Sequence, residues 1–194
     1  MIAIINYGAG NLLSVKNTIN DYTNDVIITN NLDDLEKAEK IILPGVGEAS
    51  FAMNSLKKLN IVSFLQNTRK PVLGICLGLQ LMCSFSEEGN VECLNIFPSI
   101  VKKFDDKHLK VPHMGWNQVS IIKNSLLLKD IENNSYFYFA NSYYAEMNDY
   151  TVAKTSYQID FSAILQKDNY FGIQFHPEKS SKIGSKIIRN FIEL

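Results

Sequence analysis

Cys76 stands at the centre of Gly74-Ile75-Cys76-Leu77-Gly78, between the apolar run from Pro71 to Ile75 and the helical pattern from Leu79 to Met82. A strand that turns this abruptly into a helix strains its central residue, and small flanking residues let the turn close. Such a cysteine is expected to be exposed at a helix N-terminus, where backbone amides and the helix dipole favour a thiolate nucleophile. A nucleophile of this kind needs a base, and the base needs a group to orient it. His176 follows the apolar run from Tyr170 to Phe175, and Glu178 stands two residues further on with Pro177 between them. At a strand end that spacing points both side chains the same way, so Glu178 can accept from one imidazole nitrogen while the other faces Cys76. A third segment, Leu43-Pro44-Gly45-Val46-Gly47, also follows an apolar run. Its glycines, Gly45 and Gly47, free the backbone around Val46 to aim N–H groups at a developing oxyanion, with the N–H of Leu77 as a second donor.

Other chemistries fit less well. Gly8, Gly10 and then Leu13 miss the third glycine of a dinucleotide fingerprint, and no Walker sequence occurs. His108 and His113 are separated by Leu109, Lys110, Val111 and Pro112 with no acid among them, so neither reads as a metal ligand and both are left as surface or core histidines. No cofactor and no metal are expected. Cys76, Cys83 and Cys93 are an odd trio without CxxC spacing, which fits neither a disulfide framework nor a zinc site and suits a reducing, cytoplasmic setting. Burial without reactivity is the reading for Cys83 and Cys93. With 19 basic and 20 acidic side chains the net charge is -1, which is no footprint for nonspecific nucleic-acid binding. Charged residues or asparagines interrupt every hydrophobic run well short of the ~20 residues a membrane span needs, and the apolar start lacks the basic lead of a signal peptide.

The 194 residues suit one domain, spanning 1–194. Ile2 to Ile5 is a continuous apolar run that ends at Tyr7-Gly8-Ala9-Gly10, as in a strand buried on both faces. Asn11 is placed to cap a helix whose Leu12, Val15, Ile19 and Tyr22 form one apolar stripe. Further strands are expected at Val26 to Thr29, Lys40 to Leu43 and Pro71 to Ile75, with helices between them and hence parallel pairing. After about residue 95 the segments shorten and alternate: Ile100 to Phe104, Asn117 to Ile122, Tyr136 to Phe139, Thr151 to Thr155, Phe161 to Gln166 and Tyr170 to Phe175. These read as antiparallel strands and hairpins. Ser180 to Leu194 closes the chain as a helix, so the expected fold class is α/β: a three-layer sandwich on a central mixed, mostly parallel sheet.

Taken together, these residues resemble the class I glutamine amidotransferases, and within them the glutaminase subunits of imidazole glycerol phosphate synthases. The likeness runs almost end to end. It is carried by Asn6 to Asn11, Leu43 to Gly47, Gly74 to Gln80, Val111 to Asn117, Ser142 to Tyr144 and Phe175 to Ser180. The resemblance implies a heterodimer in which this subunit hydrolyses glutamine and a (βα)8-barrel cyclase subunit consumes the ammonia, in histidine biosynthesis. By position, Cys76, His176 and Glu178 match the family's triad, and Gly45 to Gly47 match its oxyanion segment. Gly47, Gln80, Ser142 and Tyr143 match the glutamine pocket, while Asn11, Met114 and Trp116 match segments that face the cyclase. The family also implies near silence until the liganded partner binds, for which a wrongly facing peptide at Pro44 and Gly45 offers a physical means. Two positions depart from the pattern: Asn6 stands where Asp is usual and Asn141 where His is usual. Rival readings are a paralogous glutaminase serving another synthase, such as a sugar amidation pathway, a non-catalytic docking module, and a free γ-glutamyl peptidase.

Overall fold

Strand β1 (Ile2–Ile5) is apolar at every position because both of its faces are covered. Ile2 and Ile4 join one core and Ala3 and Ile5 the other, so alternate side chains of one strand serve two opposite layers. The computed structural model describes residues 1–105, 107 and 109–194, so His108, set aside above, lies outside the described residues. After β1 come α1 (Leu12–Asn20), β2 (Val26–Thr29), α2 (Leu32–Lys37), β3 (Lys40–Leu43), α3 (Ala49–Lys58), α4 (Val62–Asn67), β4 (Val72–Ile75) and α5 (Leu77–Met82). This is the strand-helix alternation that the apolar runs imply. Asn11 precedes α1 as expected, but its side chain makes no capping hydrogen bond.

The second half is built from β5 (Phe85–Ser86), β6 (Val91–Glu92), β7 (Ile100–Lys103), β8 (His113–Ile121), β9 (Ser135–Asn141), β10 (Tyr143–Ala145), β11 (Thr151–Ser156), β12 (Asp160–Lys167) and β13 (Tyr170–Ile173), closed by α6 (Ser181–Ile192). Among the described residues the main sheet has nine strands in the order β2-β1-β3-β4-β13-β12-β11-β8-β9. The pairings from β2 through β13 are parallel and those from β13 to β9 antiparallel. Strand β13 thus differs in part from its reading as a hairpin partner. It pairs antiparallel with β12, yet its other edge lies parallel to β4, with Ile173 beside Ile75. A small second sheet, β10-β7-β5-β6, lies apart from the main one.

Helices α1 and α6 cover one face of the main sheet through Val15, Ile19, Ile187, Ile188 and Phe191. The other face is covered by α2 to α5 through Leu35, Met53, Leu56, Leu65 and Leu79. The result is the three-layer α/β sandwich. Each fully buried Leu, Ile or Phe contributes roughly 1.5–3 kcal/mol relative to exposure, so both layers are held firmly against the strands that end at the site. No helix among the described residues is long and apolar enough to cross a membrane.

Candidate active site

Strands β3, β4 and β13 are adjacent and parallel, so the segments that follow them emerge side by side at the carboxyl edge of the sheet. Ligands gather at this edge in open α/β sheets. Cys76 follows β4 with φ of 52°, a left-handed value uncommon for a residue with a side chain, so the strain expected of the turn is present. Its N–H donates to the Ile173 carbonyl at 2.8 Å, which ties the turn to β13. One expectation is corrected. Cys76 is not exposed but only 6% accessible, because α5 packs onto the sheet so closely that the sulfur meets solvent only through a cleft.

His176 lies between Cys76 and Glu178. Its Nδ1 is 2.9 Å from Glu178 Oε1, and it also hydrogen-bonds to Cys76. The side chains of His176 and Glu178 are 4% and 3% accessible. Their alignment arises differently from the strand-end spacing foreseen above. Pro177 to Lys179 form a 3-10 turn, and that turn swings Glu178 back beneath the imidazole. Burial opposes the charged imidazolium. Hydrogen bonds to Cys76 and Glu178, with the attraction of their charges, outweigh it and push His176 up to about 10.

The segment after β3 closes over the cysteine. A Cβ on Gly45 would stand 2.5 Å from Tyr7 Oη and 2.7 Å from Leu77 Cβ, so only glycine allows this approach. Gly47 has φ of 110° and serves conformation instead. Tyr7, buried, donates its hydroxyl to the Pro44 carbonyl at 2.7 Å. Burial first, and then the neighbouring Cys76, push the Tyr7 phenol well above its ordinary value, so it stays a donor.

Val46, Gly47, Cys76, Leu77 and Gln80 line one side of a cleft of about 160 Å³, and Glu88 and the stretch from Ala140 to Tyr143 line the other. That size suits an amino acid rather than a drug-sized ligand. The cleft therefore unites Gly47, Gln80, Ser142 and Tyr143. Sequence reading missed Glu88. It lies between the two-residue strands β5 and β6, where no periodicity marks it, yet its carboxylate reaches the cleft and accepts from the Ala49 N–H at 3.0 Å. Burial, with Glu48 nearby, raises it above the usual carboxylate range, although the Ala49 bond works the other way. Gln174 was also missed, as the one polar side chain in the buried run from Tyr170 to Phe175. A larger hollow of about 580 Å³, lined by residues such as Ile121, Leu126 and Gln166, includes none of Cys76, His176 and Glu178 and is not the site. Among the described residues no group of three His, Cys, Asp or Glu side chains could hold a metal ion. Cys83 and Cys93 are buried and burial raises both thiols, Cys93 to about 12.

Met114 and Trp116 are 64% and 51% accessible and point from the same face of β8. Met114 pairs with Ala140 and His113 with Asn141, so this exposed face adjoins the strand that walls the cleft. Asn11 is also exposed, and the α1 that it precedes packs against the turn carrying Glu178. Asn6 Oδ1 accepts from the Gly8 N–H at 3.2 Å, and Asn141 Nδ2 donates to the Tyr143 carbonyl at 2.9 Å.

His113 proves to be a core histidine, stacked between Phe139 and Tyr157 at centroid distances of 4.9 and 4.1 Å. Burial drives it down to about 4, weakly opposed by Asn141. Its folded value lies below the unfolded 6.5, so its neutral form contributes stability that is fully present above pH 6.5 and is lost as pH falls from 6.5 towards 4. Denaturant midpoints at pH 7, 5.5 and 4 are expected to fall by an amount equivalent to about 3 kcal/mol in total, and His113→Leu should flatten that slope. An equal slope in His113→Leu would assign the acid sensitivity elsewhere.

The family described as glutamine amidotransferase class-I matches residues 3–194. The chain belongs to that family. Its curated relatives carry a narrower name, imidazole glycerol phosphate synthase subunit HisH. The protein of Bacteroides fragilis (strain YCH46) is 49% identical over 195 residues, spanning 100% of this chain and 99% of that one. That of Buchnera aphidicola subsp. Acyrthosiphon pisum is 45% identical over 194 residues, again spanning 100% and 99%. Among solved structures, PurLQS from Thermotoga maritima superposes with a TM-score of 0.73 at 14% identity, covering 99% of this chain and 97% of that one. A glutamine amidotransferase from the same organism gives 0.63 at 15% identity, covering 99% and 82%. At such identities these two speak for the fold alone.

Proposed function

We propose that this chain is the glutaminase subunit of an imidazole glycerol phosphate synthase, with residues 1–194 acting as one amidotransferase domain. It hydrolyses glutamine to glutamate and passes the ammonia to a (βα)8-barrel cyclase, with which it forms a heterodimer in histidine biosynthesis. The observation that carries this reading is the buried line from Cys76, which lines an amino-acid-sized cleft, through His176 to Glu178. The full-length likeness to the HisH proteins supplies the pathway.

In the proposed reaction the Cys76 thiolate attacks the side-chain amide carbon of glutamine. The carbonyl oxygen becomes an oxyanion held by the N–H groups of Val46 and Leu77. Collapse breaks the C–N bond, and His176 delivers the proton that lets ammonia leave, with a γ-glutamyl thioester remaining on the sulfur. His176 then takes a proton from water, whose oxygen attacks the thioester, and glutamate departs with the thiolate restored. Glu178 keeps the imidazole oriented throughout. At the other end of the substrate, Glu88 offers a carboxylate to the α-ammonium, while Gln80, Ser142 and Tyr143 supply polar contacts. Met114, Trp116 and Asn11 form the surface for the cyclase.

Co-purification with a cyclase subunit of imidazole glycerol phosphate synthase, followed by glutamine turnover with and without the cyclase's nucleotide ligand, tests the reading. Turnover should rise steeply in the liganded complex. A chain that turns over glutamine fully when alone, or that binds no cyclase, would overturn the assignment.

A further inference from the structure

Gln174 follows β13 directly and is fully buried, with its backbone N–H bonded to the Ala163 carbonyl at 2.9 Å. Because Ile173 pairs with Ile75, the next residue on each strand, Gln174 and Cys76, lie side by side. Gln174 Nε2 is 3.5 Å from Cys76 Sγ, a hydrogen-bonding distance for sulfur. An amide can present either its N–H or its oxygen, and the network decides which. Gln80 Nε2 stands 3.0 Å from the Tyr143 carbonyl, an acceptor that cannot donate, so the nitrogen end of Gln80 is fixed there. Its second hydrogen meets Gln174 Oε1 at 3.1 Å. With its oxygen thus engaged, Gln174 can show the sulfur only N–H.

We propose that Gln174 is a positioning residue for the glutaminase reaction, its amide N–H holding the Cys76 sulfur as a thiolate in an orientation that Gln80 enforces. This rests on the nucleophile role given to Cys76 above. A hydrogen bond to a charged acceptor is about twice as strong as a neutral one, and this one favours the ionised sulfur over the thiol. Gln80 consequently has both amide hydrogens engaged, so what it offers glutamine is its carbonyl oxygen. Other groups that bear on the sulfur's charge are His176, the Tyr7 hydroxyl, Glu88 across the cleft and Glu178 through the imidazole. None of them can replace an N–H donor fixed on the β13 side.

The test is the pH dependence of Cys76 alkylation by iodoacetamide in the isolated full chain, read by mass spectrometry of the Cys76 peptide. Gln174→Met keeps length but removes the donor. Gln174→Leu removes both ends of the amide without adding charge beside the sulfur. Both should move the alkylation midpoint upward by about one pH unit, a tenfold smaller thiolate fraction below it. Gln80→Met, which frees the Gln174 amide to turn, should move it in the same direction by less, and it serves if the Gln174 variants do not fold. A purely structural glutamine would alter melting but leave the midpoint in place. An unchanged midpoint in folded Gln174→Met, or in Gln80→Met where the former does not fold, overturns the proposal. Alkylation needs neither glutamine nor the cyclase, so it succeeds or fails separately from the glutaminase assignment.

Discussion

Replacing Cys76 by alanine is expected to abolish glutamine hydrolysis, lowering it by roughly four to six orders of magnitude, while ammonia-dependent synthesis by the cyclase continues at its ordinary rate. The asymmetry follows from where the atom sits. The sulfur touches His176 and Gln174 and faces the cleft, and it takes no part in the exposed surface around Met114 and Trp116. Alanine removes one small buried atom and keeps the backbone turn, so melting should change little and the loss is chemical. Paired assays with glutamine and with ammonium salts check this on the same preparation. Full glutamine-dependent activity in Cys76→Ala would falsify the proposed mechanism at its root.

Gly78→Ala should unsettle both fold and site. Gly78 lies inside α5, where alanine would ordinarily favour the helix by about 1 kcal/mol. Here an added Cβ would fall 1.8 Å from the Leu43 carbonyl oxygen, and a backbone atom at the end of a central strand cannot step aside as a side-chain tip can. Overpacking of this kind costs about 3 kcal/mol, so a net loss of about 2 kcal/mol is expected, or a melting temperature lower by about 4–8 °C. To relieve the clash α5 must move away from β3, and that separates Cys76 and Leu77 from the segment of Gly45 to Gly47. Glutamine turnover should therefore fall further than stability alone explains. A Gly78→Ala protein that melts like the parent would show that the α5 and β3 contact is softer than its distances imply.

Much of this arrangement was readable from local patterns. Continuous apolar runs announced β1, β3 and β4, because strands covered on both faces have no polar side to alternate with. The Gly-x-Cys-x-Gly turn announced the strained cysteine, because its strain is local to five residues. What escaped reading depends on contacts across the chain. Gln174 is one polar letter in an apolar run, and its meaning comes from Gln80, 94 positions earlier. Glu88 lies beside β5 and β6, each of two residues, too short to show a period. The parallel edge of β13 escaped for a similar reason: its composition suits either direction, and only the neighbouring β4 settles it. Cys76 was expected at the surface because the turn says which way the sulfur points but not what packs above it.

The phenol of Tyr7 has a mechanical consequence for how the Leu43 to Gly47 segment can rearrange. Swinging the Pro44 carbonyl would strand a buried hydroxyl, at a cost of about 1–3 kcal/mol. That anchor opposes the turn of the Pro44 and Gly45 peptide foreseen from the sequence, and it leaves the peptides on either side of Val46 as the freer ones to rotate an N–H towards the oxyanion.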